Sequence, residues 1–110
     1  MFKLVFFVPE PDAEEVKAAV FAAGAGYYDK YDYCSWQTLG TGQFRPGEGS
    51  SPFIGYVGHV ERVPELRVEI LCEDDVVRPA IRALLEAHPY EEPAYEVYQV
   101  YQYASLPEGL

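Results

Sequence analysis

Pro89 is the residue that most constrains this chain, because a helical pattern stops at it and a strand pattern begins just beyond it. Upstream, Val77, Ala80, Ile81, Leu84 and Leu85 recur at the three- and four-residue spacing that lays an apolar stripe along one side of a helix. Pro89 has no amide hydrogen and holds its predecessor extended, which predicts a helix end at Ala87 or His88. At that exit, the helix dipole would favour a protonated His88 if the ring were exposed. Beyond Pro93, Tyr95, Val97, Gln99, Tyr101 and Tyr103 alternate with Glu96, Tyr98, Val100 and Gln102, aromatic and β-branched residues at the period of a strand.

The rest of the chain is organised around that joint. Phe2 to Val8 is a nearly continuous apolar run ended by Pro9, as expected of a central strand buried on both faces. Asp12 followed by Glu15 suggests a capping box for a helix with Val16, Ala19, Val20 and Ala23 on one face, and Gly24 or Gly26 can supply its left-handed terminus. Tyr33 to Thr38 reads as a second strand. Gly40 to Pro52, dense in glycine, proline and serine, reads as a long loop or hairpin tip. Leu66, Val68, Ile70 and Cys72 share one face of a third strand, which Phe53 to Val60 precedes as a short strand or ribbon. Pro79 fits only the first turn of the second helix, where amides have no intrahelical partner.

The order β-α-β-β-α-β in 110 residues predicts a single α+β domain over residues 1–110. It is ferredoxin-like, a four-stranded antiparallel sheet with two helices on one face. The strands look apolar or aromatic on both faces, and ten tyrosines plus Trp36 exceed what one core needs, so a homo-oligomer packed through open sheet faces is expected. A formal charge of −10 disfavours nucleic-acid binding. Two cysteines, Cys34 and Cys72, each placed in an apparent strand, read as buried thiols. No apolar run is long enough to cross a membrane, and the first residues do not fit a signal peptide, so the expected setting is a reducing cytoplasm.

Several separate segments carry a resemblance. Ser35 to Gly49, Pro52 to Glu61, Glu65 to Glu69 and Ala87 to Tyr98 together resemble the insert domain of YqfO-type proteins of the Nif-three-like family. That domain is similar to the signal-transduction protein PII and to the divalent-cation-tolerance protein CutA, which also carries a His-Pro-Tyr-Glu segment before its last strand. The resemblance implies a PII/CutA-like fold, a homotrimer, and effector sites in clefts between subunits. Arg45, Glu48, His88 and Tyr90 are the residues that would meet a small ligand or partner protein there. The family's proposed hydrolase role rests on a dinuclear metal site in the surrounding domain, which this sequence lacks, so a non-enzymatic binding domain is expected ahead of a metal-dependent hydrolase.

Other assignments compete at the same residues. His88, Glu91 and Glu92 combine imidazole and carboxylates that suit a divalent metal, zinc or copper, but the set is incomplete unless His59 or another subunit contributes. A structural role for His88 at the helix end accounts for it more simply. The Gly40 to Gly49 loop invites an anion-binding reading, yet it lacks the lysine and the following helix of a phosphate loop. A loop packed against a neighbouring subunit, with Arg45 pairing a carboxylate, is the plainer account. Cys34 has no identifiable base to make it a nucleophile, and stacking of RNA bases on the tyrosine-rich last strand conflicts with the net charge.

Overall fold

The computed structural model describes residues 1–110. Strand β1 (Phe2–Pro9) leads through a 3-10 turn (Glu10–Asp12) into helix α1 (Ala13–Ala22), followed by β2 (Trp36–Phe44), β3 (Glu61–Cys72), helix α2 (Val77–Ala87) and β4 (Tyr95–Gln99). The strands lie in the order β2-β3-β1-β4, every neighbouring pair antiparallel. This is the expected ferredoxin-like arrangement.

One core sits between the helices and one sheet face. Leu4, Phe6 and Val8 of β1 and Leu66, Val68, Ile70 and Cys72 of β3 meet Val16 and Val20 of α1 and Ala80 and Leu84 of α2. These are the alternate residues of the strands and the apolar stripes of the helices, so the periodicity in the sequence becomes the core directly. Helix α2 ends at Ala87, with His88 extended at φ −69° and ψ 135°, as the proline demands. No helix is long and apolar enough to cross a membrane.

The structure corrects several local expectations. The second strand is Trp36–Phe44: it begins three residues after Tyr33 and runs well into the segment read as loop. Gly40 and Gly42 disfavour a strand locally. Here they pair in register with Glu65 and Val63 of β3, so cross-strand hydrogen bonding overrides the local preference. Residues 53–60 form turns, with no strand. Asp12 precedes α1 without a side-chain cap hydrogen bond, so the capping box does not form. Cys34 is half-buried in the loop before β2, and only Cys72 is a fully buried strand thiol. Strand β4 stops at Gln99, which leaves Tyr101 and Tyr103 outside the sheet.

The helix-free face differs most from expectation. Its central residues are charged: Lys3 Nζ lies 3.1 Å and Arg67 Nε 3.2 Å from the Glu69 carboxylate. Hydrogen bonding by Lys3, then by Arg67, holds the Glu69 carboxyl below the usual carboxylate range against its partial desolvation. Arg67 also lies over the Phe7 ring at 5.7 Å. Val5 is fully buried there, although its register neighbours on that face are Glu69 and Glu96. Exposed aromatic residues flank this charged centre on the same face, Trp36 opposite Glu69 and Tyr98 opposite Lys3, and others lie outside the sheet at Tyr27, Tyr28, Tyr31, Tyr33, Tyr101 and Tyr103. The radius of gyration is 15.6 Å, against about 13 Å for a compact domain of this size.

Candidate ligand site

Three segments far apart in sequence converge beside the far end of the β2-β3 hairpin. The loop after β2 supplies Arg45, Pro46 and Phe53, the turn after α2 supplies Tyr90, Glu91 and Glu92, and Phe7 comes from β1. Between them lies a cavity of about 310 Å³. A second hollow, of about 450 Å³, shares Phe7, Gln43, Glu65 and Ala94 with it and continues along the helix-free face past Thr38 and Arg67.

His88 sets the turn. Its Nε2–H donates to the Phe7 carbonyl at 2.7 Å, while the Tyr90 backbone N–H donates to Nδ1 at 3.0 Å. A carbonyl only accepts and an amide only donates, so these partners select the neutral tautomer with its proton on Nε2. His88 is 6% exposed. Burial pushes its pKa below the ordinary histidine value, opposed by the Phe7 hydrogen bond and the charges of Glu65 and Asp12. The exposure that would have favoured a protonated His88 at the helix exit is absent, and the ring takes the simpler structural role, neutral and hydrogen-bonded through both nitrogens.

Held in this way, Tyr90 reaches over the sheet, and its hydroxyl donates to Glu65 Oε2 at 3.0 Å. Burial, followed by the bond to Glu65, raises the phenol above its usual pKa, so it stays protonated through the physiological range. Phe44 meets the Tyr90 ring edge-on at 5.7 Å between centroids, and Phe53 lies 6.4 Å away at 53°. The loop is tied to the turn by the Ser51 N–H, which donates to Glu91 Oε2 at 3.0 Å. Gly42 makes room for this arrangement: a Cβ there would stand 1.9 Å from Glu65 Oε1.

The residues singled out from sequence separate into two groups. Arg45, Tyr90, Glu91 and Glu92 line the cavity, with His88 beneath Tyr90, whereas Glu48 lies outside it. His59 is elsewhere, packed against Tyr56 with the ring centroids 3.9 Å apart and the planes inclined at 45°. His88, Glu91 and Glu92 do not form a metal-ligand set within the chain, since both imidazole nitrogens are engaged and no group of three such side chains is arranged to hold an ion. Arg45 makes no ion pair: those present join Met1 to Asp74, Lys3 and Arg67 to Glu69, and Lys17 to Glu14. Sequence reasoning missed Glu65, Phe44 and Phe53. Extending the β3 alternation backwards would have placed Glu65 with Arg67 and Glu69 on the face away from the core.

No family model matches the chain. A protein of Mycobacterium tuberculosis called a GTP cyclohydrolase 1 type 2 homolog is 49% identical over 96 residues, 87% of this chain and 25% of that protein. Its namesake in Bacillus subtilis is 43% identical over 100 residues, 91% of this chain and 27% of that protein. The chain thus spans about a quarter of the length of these relatives. A Bacillus cereus protein related to NIF3 superposes with a TM-score of 0.75 at 44% identity, covering 88% of this chain and 24% of that one. CutA1 from Pyrococcus horikoshii superposes with a TM-score of 0.66 over 99% of this chain and 89% of its own, at 16% identity, a likeness of fold alone. By sequence the chain is homologous to one domain of the NIF3/YqfO family, and by fold that domain is PII/CutA-like.

Proposed function

We propose that this domain is a cytoplasmic, non-enzymatic binding module that assembles as a homotrimer and takes a small ligand beside the Tyr90 turn. The observation that carries the reading is the cavity of about 310 Å³, formed where the hairpin loop, β1 and the His88 to Pro93 turn meet. Its size is that of small-molecule sites, and its lining combines aromatic rings with a few polar groups. Assembly is supported by the bare outer edge of β2, nine residues long, and by the exposed Trp36 and Leu39 on it. Other copies of the chain would cover that edge and wall the cavity further. The hydrolase activity suggested by the relatives' names would have to be supplied by the three-quarters of their length that this chain does not match.

The test is a two-dimensional NMR titration of the intact assembly with a small-metabolite panel. Shifts confined to Tyr90, Phe53 and Glu91 support the site, and a panel that moves none of them removes it. The competing reading, zinc or copper on His88, Glu91 and Glu92, requires His88 to release both of its hydrogen bonds. Equal zinc and copper binding by wild type and His88→Ala would eliminate it.

A further inference from the structure

We infer that the cavity takes a small organic cation bearing an alkylated ammonium group, an inference that rests on its being a ligand site. Four aromatic side chains line it, Phe7, Phe44, Phe53 and Tyr90. The Phe44 and Phe53 rings are inclined to Tyr90 at 60° and 53°, so the three rings enclose a corner and do not stack flat. Aromatic faces are negative, and a cation within about 6 Å of a ring centroid is attracted to them.

Charge points the same way. The lining holds Glu65, Glu91 and Glu92 against a single, exposed guanidinium, that of Arg45. Glu65 is half-buried, and its hydrogen-bond donor is a neutral phenol. Glu91 is bound by a neutral amide. The nearby Arg67 is already paired with Glu69. An anion entering here would meet three carboxylates, and a neutral ligand would leave the half-buried Glu65 without a counter-charge, Glu91 and Glu92 being exposed to solvent. An alkylated ammonium gains from both features, because its alkyl groups pack on the rings while its charge offsets the carboxylates.

The probes are choline, its uncharged carbon isostere 3,3-dimethylbutan-1-ol, and inorganic phosphate, each titrated into the intact assembly with NMR or calorimetric readout. Choline binding is expected to exceed that of the isostere by roughly tenfold, and Phe53→Ala and Glu65→Gln should each weaken it by roughly three- to thirtyfold. Phe53 is exposed, and glutamine can still accept from Tyr90, so both variants should fold. Equal affinity for choline and its isostere, or undiminished choline binding by Glu65→Gln, overturns the inference. Phosphate shifting the cavity resonances while choline does not would also overturn it and leave the site standing. If none of the three probes perturbs the cavity, the cation inference is overturned, and the metabolite panel decides separately whether the site stands.

Discussion

The Tyr90 hydroxyl donates to the Glu65 carboxylate at 3.0 Å, joining the turn after α2 to the middle of β3 across 25 residues of sequence. That bond, and the His88 ring beneath it, turn three distant segments into one wall of the cavity. Its strength and its pH response can both be measured.

Replacing Tyr90 with phenylalanine removes the only hydroxyl donor to Glu65 and should destabilise the fold by about 1–2 kcal/mol, the range for a partly exposed hydrogen bond to a charged group. Urea denaturation checks this. In Glu65→Gln, ultraviolet titration should show Tyr90 ionising earlier than in wild type, because the carboxylate that helps to hold its proton is gone.

Gly42→Ala should behave as an indirect loss of the same bond. The added methyl would stand 1.9 Å from Glu65 Oε1, and the flexible carboxylate would have to swing away from Tyr90. A cost of about 1 kcal/mol is expected, although alanine is usually the better strand residue. The cost should largely vanish when Gly42→Ala is made in a Glu65→Ala background, a non-additivity that a double-mutant cycle measures.

Stability should fall on mild acidification. Burial lowers the His88 pKa below its unfolded value of about 6.5, so between the two values the unfolded chain binds more protons than the folded one. The contribution is therefore fully present above pH ~6.5 and lost as the pH drops towards the folded value, with a slope of at most about 1.4 kcal/mol per pH unit. Denaturation midpoints of wild type and His88→Asn, compared between pH 7.5 and 5.5, should show this component only in wild type.

In solution the mass should be a multiple of the 12.4 kDa chain, three-fold on the proposed reading, by light scattering. Trp36→Lys and Leu39→Lys place charges on the exposed β2 edge and should weaken assembly while leaving the monomer's circular dichroism unchanged, since both side chains are more than half exposed. A concentration-independent monomer in wild type would remove the assembly reading.

The sequence by itself determined the order of elements, the helix stop at Pro89 and the residues of the core. Each is a local property: a proline that cannot donate, or a period of two or of 3.6 residues written into adjacent positions. Tertiary structure alone decided where β2 begins and ends, because Gly40 and Gly42 become strand only when β3 pairs with them. It also decided that the helix-free face is charged at its centre, that His88 is neutral, and that Glu65, Phe44 and Phe53 belong to one cavity. These depend on which side chains distant segments bring within hydrogen-bonding range and on how much water is excluded there, neither of which local periodicity encodes.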